Sequence, residues 1–476
     1  MSRDIRINKL DLIKSAKVKE RLTKENFNPN TKSRHIINTY EEAMAFIDET
    51  ANAGITLGLS GIRHLCDKFD NIQDNLRIIH VAGTNGKGSV ISYLTSIFES
   101  AGLKVGRYTS PAVFDYRERF YITNFSENGW ITKEELTSQV EKVSEAYDKI
   151  INEGKDKPSQ FEVETCMAFN FFNDNYCDIV LLEWGMGGEG DATNVVQAPV
   201  CSVFTSISMD HMAFLGNSLK SITEDKAGII KYGFPVISQI QPGEVKEVII
   251  NKAQEKMSKV IFAGKYSGKT GIEGPGQDDN AGLAMEVATF VLKEILGRDY
   301  ESMKEYFDDC IIKGIESAVN PGRFQKIFAD KEIYMDGAHN EDASVKLKTF
   351  LEMYFTNRPI IFIMGVLKDK DYKSICRNLC SVAYKMITIT PQNARGLDGQ
   401  ILLDTIREIN KDVAFGSYSY ENAANEAISL YNDLSEKGKE PVMLVCGSLS
   451  ILSDMREIFK GKEKSVNWLL GYGIIQ

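Results

Sequence analysis

From Thr39 onward the chain alternates two hydrophobic rhythms. One is short and continuous: "RIIHVAG", "KVGRYTS", "CDIVLLEWG", "VCSVFTSIS", "FPVISQI" and "KVIFAG" are apolar runs bounded by glycine or polar residues. Such runs predict strands of a parallel sheet covered on both faces. The other has apolar residues three and four apart, as in "TYEEAMAFIDETA", in Ser89 to Ser100 and in "AGLAMEVATFVLKEIL" (281–296). That spacing predicts helices packed on a core. A second series begins near Asn320-Pro321-Gly322, with strands "KEIYMDGA", "PIIFIMGV", "YKMITIT" and "PVMLVCGS", each followed by a helical segment. The reading is therefore α/β throughout. It gives a polar, lysine-rich extension with one short helix (1–35), a central domain (36–319) and a C-terminal domain (320–476), joined near "VNPGRF".

The 476 residues suffice for two or three full cores, and 43% hydrophobic with 26% charged residues is ordinary for a globular protein. A net charge of −10 argues against nucleic acid as a bulk partner. No run of about 18 apolar residues is present to span a membrane, and the charged N-terminus lacks a signal-type apolar core, so a cytoplasmic address is expected. Eight cysteines form no C-x-x-C pair and sit mostly in apolar runs, which predicts buried, reduced thiols. Cys376 and Cys380 are one helical turn apart without partner ligands nearby in sequence, so zinc is discounted.

Ligands of open parallel sheets bind beyond the carboxyl ends of the strands. Glycine or polar clusters fall there at Gly83 to Ser89, Ser110-Pro111, Glu183 to Asn194, Ser206 to His211, Asp336 to Asn340 and Arg395. The first, "GTNGKGS", comprises Gly83, Thr84, Asn85, Gly86, Lys87, Gly88 and Ser89. It misses the usual phosphate-loop pattern twice: Val81 stands where a glycine belongs, and Gly88 where Ser or Thr should follow the lysine. Two readings stay open: a phosphate site of another kind, with Ser89 offering oxygen to Mg2+, or a strand-to-helix turn capped by Ser89. Glu162 opens an apolar helix, as a metal ligand or as first-turn dipole compensation. Asp210 and His211 follow a buried strand, where a lone histidine is more often structural. Lys226 precedes small residues and an apolar run, so its stem is expected to be buried at a cost unless it is paired or modified.

Eight segments settle between these readings when taken together. "HVAGTNGKGSV", "YTSPAVFDYRERF", "FEVETCMAF", "LLEWGMGGEGDATN", "TSISMDHMAFLG", "DKAGIIK", "NPGRF" and "DGAHN" occur in this order over some 260 residues. With "MGVLKDKD", "TPQNARGL" and "LVCGSLSIL" beyond them, the chain resembles the folylpolyglutamate synthase and bifunctional dihydrofolate synthase family of the Mur-ligase superfamily. "GTNGKGS" is that family's own loop. The resemblance implies a Mur-ligase-like P-loop ATPase domain plus a smaller C-terminal Rossmann-like domain. It implies an ATP-dependent ligase that joins L-glutamate to the carboxylate of a reduced folate through an acyl phosphate. Small molecules are the expected partners, and the protein is expected to act as a monomer. By the same resemblance Lys87 contacts the β- and γ-phosphates, Ser89 and Glu162 hold one Mg2+, His211 holds a second, and Lys226 becomes carbamylated, which makes it an anionic oxygen donor to the metal. Asn280 lies near the adenine, Arg323 reaches the phosphates, and Asp336 and His339 meet the nucleotide from the second domain. Ser110, Pro111, Glu189, Asp191 and Thr193 fall in segments expected to face the acid or amino-acid substrate.

The chain also departs from the family pattern. Ala112 replaces the histidine of "TSPH", Glu189 the arginine of "GGRxDATN", and Gly276 the histidine of "HQxxNA". Only about 15 residues separate "VIFAG" from "GQDDNA", so the β-hairpin commonly inserted there is expected to be shortened or lost. Glu189 is the most consequential, because a glutamate repels a carboxylate that an arginine would hold. It leaves open a paralogous ligase for a non-folate acid. A nucleotide-binding protein with a dead site is the remaining alternative, and the intact set Lys87, Ser89, Glu162, His211 and Lys226 weighs against it.

Overall fold

The computed structural model describes residues 35–51, 58–185, 188–209 and 218–462. The helix expected before residue 35 lies outside them. The first sheet has seven strands: β1 (Ile78–Ala82), β2 (Val105–Tyr108), β3 (Phe120–Ile122), β4 (Ile179–Glu183), β5 (Cys201–Phe204), β6 (Val236–Gln239) and β7 (Val260–Ala263). Their order is β3-β2-β4-β1-β5-β6-β7. All neighbours run parallel except β2 and β3. β1 is wholly buried, and its side chains alternate between two cores. Ile78 packs with Val180 and Leu182 beneath the helix Gln160–Asp174. Ile79 and Val81 pack with Leu181 and Val203 beneath Lys87–Ser100 and Gln277–Leu296. Covering both faces is what makes the strands apolar along their whole length. Each fully buried Ile or Leu contributes about 1.5–3 kcal/mol.

The second sheet has six strands: β8 (Gln325–Lys326), β9 (Ile333–Met335), β10 (Ile360–Met364), β11 (Lys385–Thr388), β12 (Ala414–Ser417) and β13 (Val442–Cys446). The order is β12-β11-β10-β13-β9-β8, parallel except for β8 against β9. Here too the two faces carry separate cores, one with Phe362 and Leu444, the other with Ile361, Ile363 and Val445. All ten strands expected from the apolar runs are present. β3, β8 and β12 were not expected. The helix expected from Ser89 starts at Lys87, and the one expected from Ala281 starts at Gln277. Residues 264–276 contain no strand, so the segment that could carry an inserted hairpin is a plain connection. All eight cysteines are free thiols, and seven are buried. Among the described residues no helix is long and apolar enough to cross a membrane.

Candidate active site

In the first sheet β2 and β4 lie to one side of β1 and β5 to the other, so the chain reverses direction at β1. That is where a parallel sheet opens a crevice. In the second sheet β13 is inserted between β10 and β9. The carboxyl ends of both sheets border one cavity of about 950 Å³.

The chain enters this cavity from β1 through Gly83–Gly86. Two of these positions exclude side chains. Gly83 has φ +149°, and a Cβ there would stand 1.9 Å from Thr205 Oγ1. Gly86 has φ +92°, and its Cβ would stand 2.5 Å from Asn280 Oδ1. The turn is tied to the exit of β5. Thr84 and Asn85 donate their N–H groups to the Ser206 carbonyl at 2.8 and 3.3 Å. Thr84 Oγ1 donates to the Ser208 carbonyl at 3.0 Å and accepts from the Ser208 N–H at 3.1 Å. No side chain caps the helix Lys87–Ser100. Ser89, one turn in, accepts a bond at Oγ from Asn320 Nδ2 at 3.2 Å. The helix start therefore presents uncapped N–H groups and its positive dipole end at the cavity, which suits an anion. A turn capped by Ser89 is not what forms.

Lys87 folds back over the turn, donating to the carbonyls of Gly83 at 3.2 Å and Thr84 at 3.4 Å. Its Nζ also stands 3.9 Å from Glu183 Oε1. Glu183 ends β4 and is buried, and its Oε2 accepts the Ser110 N–H at 3.0 Å. Burial pushes its carboxyl above the usual range, while Lys87, the Ser110 N–H, Arg323 and Arg107 oppose that shift. Glu183 is a cavity residue that sequence reasoning placed in a strand-end cluster without giving it a role. The available signal was a carboxylate ending an otherwise apolar strand just before Trp184-Gly185.

Glu162 stands both in the cavity wall and in the first turn of its helix. It lines the cavity, but Oε1 accepts the Ile62 N–H at 2.8 Å, and Oε2 accepts the Ser159 N–H at 2.7 Å and the Ser159 hydroxyl at 2.9 Å. Ser159 and Glu162 form the capping box of their helix, with a further tie to the helix Ser60–Asp67. Glu162 thus fills the first-turn role while its carboxylate also lines the cavity.

Asn280 is held by Gln239 Nε2 at 2.9 Å and backs the phosphate loop at Gly86. Beyond Phe161 the cavity wall includes Gln160, Arg119 and Asp191. Tyr108 stacks on Phe161 at 6.0 Å between ring centroids. Glu164, also buried, pairs with Arg119 and accepts from Tyr116 Oη and Gln160 Nε2, both at 3.0 Å. Asp191 Oδ1 accepts from the Thr193 N–H at 2.9 Å and the Thr193 hydroxyl at 2.5 Å.

The second sheet supplies the opposite wall. Asp336 pins two backbones, with Oδ2 accepting the Phe324 N–H and Oδ1 the Ala338 N–H, each at 2.8 Å. Burial raises its carboxyl, and Arg323 opposes the shift. Arg323 and His339 line the cavity, and His339 Nδ1 meets the Gly337 carbonyl at 2.7 Å. Lys346, Lys370 and Arg395 add positive charge to this wall. Lys346 had no signal in the sequence, whereas Lys370 lies in the segment "MGVLKDKD" and Arg395 stood out at its strand end.

Three expected side chains are not in the cavity wall. Glu189 does not line the cavity; its side chain is 71% exposed and faces Lys252 at 4.0 Å. Thr193 is fully buried behind Asp191, against His80 Nε2 at 2.8 Å. Lys226 is 6% exposed at the end of the helix Leu219–Lys226, as its apolar surroundings predicted, and is not in the cavity wall. His211 lies outside the described residues. Ser110, Pro111, Asp191, Asn280, Arg323, Asp336, His339 and the loop from Thr84 to Ser89 all line the one cavity.

Residues 81–280 match the Mur ligase middle domain and residues 322–449 the Mur ligase glutamate ligase domain. The chain is 30% identical over 447 residues to the dihydrofolate synthase/folylpolyglutamate synthase of Bacillus subtilis (strain 168), covering 88% of this chain and 99% of that one. Its fold matches a Mycobacterium tuberculosis folylpolyglutamate synthase complexed with ADP and AMPPCP with a TM-score of 0.78, at 24% identity over 88% of this chain and 99% of that one. An E. coli FolC in complex with DHPP and ADP matches with a TM-score of 0.72, at 25% identity over 88% of this chain and 98% of that one. The two matched domains carry the loop, the strand-end carboxylates and the arginine that meet in the cavity, and the chain belongs to the dihydrofolate synthase/folylpolyglutamate synthase family of Mur ligases.

Proposed function

We propose that this chain uses ATP to join L-glutamate to the carboxylate of a reduced folate or of dihydropteroate. The observation that carries the reading is the shared cavity, walled on one side by the uncapped loop Thr84–Ser89 and on the other by Arg323, Lys346, Lys370 and Arg395. A triphosphate needs this arrangement. Backbone N–H groups and Lys87 meet the phosphates from one domain, and cations from the other complete the charge. An oxygen of the acceptor carboxylate attacks the γ-phosphorus and ADP leaves. The amine of glutamate then attacks the acyl carbon, loses its proton, and inorganic phosphate leaves. The protein's part is to hold charges and distances and to keep water from the acyl phosphate.

The residues present fit a divalent cation of the Mg2+ type. Ser89 Oγ and the Glu183 carboxylate are hard oxygen donors beside the phosphate loop. Bound there, the ion would neutralise charge on the transferring phosphoryl group. Glu162, whose oxygens keep lone pairs beyond the hydrogen bonds they accept, is proposed with Ser89 for one ion on the family resemblance, and Glu183 is a second carboxylate of the same wall. Lys226 is proposed to carry a carbamate, formed when its amine adds CO2 and loses a proton, which removes the cost of a buried ammonium. His211 is proposed for a second metal position on the family resemblance alone. Residues 320–323 form the junction about which the two domains close, since Asn320 meets Ser89 and Arg323 meets the cavity.

The flat Phe161 ring, with Gln160 and Arg119 beside it, suits a fused heteroaromatic acid. The relatives' names and the DHPP held by the E. coli protein point to the same class. The charge reversal at Glu189, which had favoured another acid, faces solvent instead of the cavity. Phosphate release from ATP tests the reading, with tetrahydrofolate or dihydropteroate as acceptor and L-glutamate as amine. Release that depends on both partners supports it, and none with either acceptor removes the folate assignment.

A further inference from the structure

Within the phosphate loop, Asn85 turns its side chain across the domain boundary. Its Nδ2 donates to Asp342 Oδ2 at 2.8 Å and to Asn340 Oδ1 at 3.2 Å, and its Oδ1 accepts from Asn340 Nδ2 at 3.1 Å. Asp342 also accepts from Lys346 Nζ at 2.8 Å, and Lys346 Nζ donates to Ser206 Oγ at 3.2 Å. Ser206 returns to the loop, since its carbonyl accepts the Thr84 and Asn85 N–H groups and its hydroxyl donates to the Asn85 carbonyl at 3.4 Å. The bonds thus close a ring that crosses between domains twice. Asn340 Oδ1 also caps the helix Glu341–Tyr354 through the Ala343 N–H at 2.9 Å, so the helix that bears Asp342 and Lys346 is oriented by the same contact.

We propose that Asp342 is a positioning residue that ties the phosphate loop to the second domain, so that loop geometry and domain closure are set together. This rests on the ligase reading above. Asp342 and Lys346 are partly exposed and one helical turn apart, and such a pair alone contributes little. What Asp342 adds is geometry. It holds Asn85 in place and keeps the Lys346 ammonium at the cavity wall instead of in solvent. Loss of the tie leaves the nucleotide pocket formed, because the loop backbone still hangs on Ser206 and Ser208. It lets the second domain dock without fixing the loop, which costs the phosphoryl-transfer step.

Two readouts test this separately from the ligase reading. In the nucleotide-free protein, hydrogen exchange of the Thr84 and Asn85 amides, which are bonded to the Ser206 carbonyl, should speed up at least about threefold in Asp342→Ala and stay near wild type in Asp342→Asn, whose amide still accepts from Asn85. Unchanged exchange in Asp342→Ala overturns the tie whatever the protein catalyses. In turnover, Asp342→Ala should lower kcat about tenfold with the Kd for ADP within about threefold of wild type, and Asp342→Asn should recover most of kcat. Asn85→Ala combined with Asp342→Ala should be no worse than the poorer single variant by more than about twofold. Independent, multiplying losses, or an Asp342→Ala enzyme with wild-type kcat, overturn the proposal.

Discussion

At the base of the cavity Lys87 and Glu183 face each other at 3.9 Å, while Glu162, 21 residues earlier, is occupied in a capping box. Both carboxylates are testable through the metal. Glu183→Gln and Lys226→Met should each raise the Mg2+ concentration for half-maximal turnover about tenfold or more. Glu162→Gln should raise it likewise and also lower stability by roughly 1–2 kcal/mol, the usual cost of losing a cap. An unshifted Mg2+ curve in Glu162→Gln would remove that residue from the metal site. His80 gives a second test. Buried in β1 against Thr193 and stacked with Trp184, it has its pKa pushed down to about 3 by burial, with Lys231 adding to the shift. The unfolded chain binds this proton near pH 6.5 and the folded chain does not. The contribution of His80 to stability is therefore complete above about pH 6.5 and falls by roughly 1.4 kcal/mol per pH unit between there and its folded value. Urea midpoints measured from pH 7 to 5 should fall more steeply for wild type than for His80→Gln. Equal slopes would place no such histidine in the folded core.

At the level of elements, the sequence was most legible where burial was greatest. Strands such as "IVLLE" and "VMLVC" are apolar along their length because both faces are covered, and every one of them is present. The short strands "FYI", "QK" and "AFGS" were not legible, being two to four residues long at or next to the sheet edges, with no apolar run to mark them. The site follows the same division. Lys87, Ser89, Ser110 and His339 stand at strand ends that position alone marked and line the cavity, whereas Arg323, which also lines it, was reached through the family resemblance. Lys346 was not, because a lysine on an amphipathic helix reads as solvated until the other domain is set against it. Glu189 shows the converse error: a motif position implies substrate contact, but the short turn Gly188–Gly190 carries the side chain outward to Lys252. Glu189→Arg should accordingly change kcat/KM for both acceptor and glutamate by less than about twofold. A tenfold gain for either would return this position to the substrate site.

In the whole molecule, two sheets whose carboxyl ends face each other divide the work. The first sheet brings the phosphate loop, Glu183 and the aromatic wall at Phe161, and the second brings Arg323, Lys370 and Arg395. Neither set alone surrounds a triphosphate, a carboxylate and an amine, so the chemistry belongs to the closed pair. The central claim is that the acceptor carboxylate attacks the γ-phosphate within this cavity. Its most direct test uses an acceptor carrying 18O in the carboxylate, incubated with ATP and L-glutamate, with the released phosphate read by mass spectrometry. The account predicts one 18O in each phosphate formed with glutamylated product. Product formed with unlabelled phosphate would contradict it.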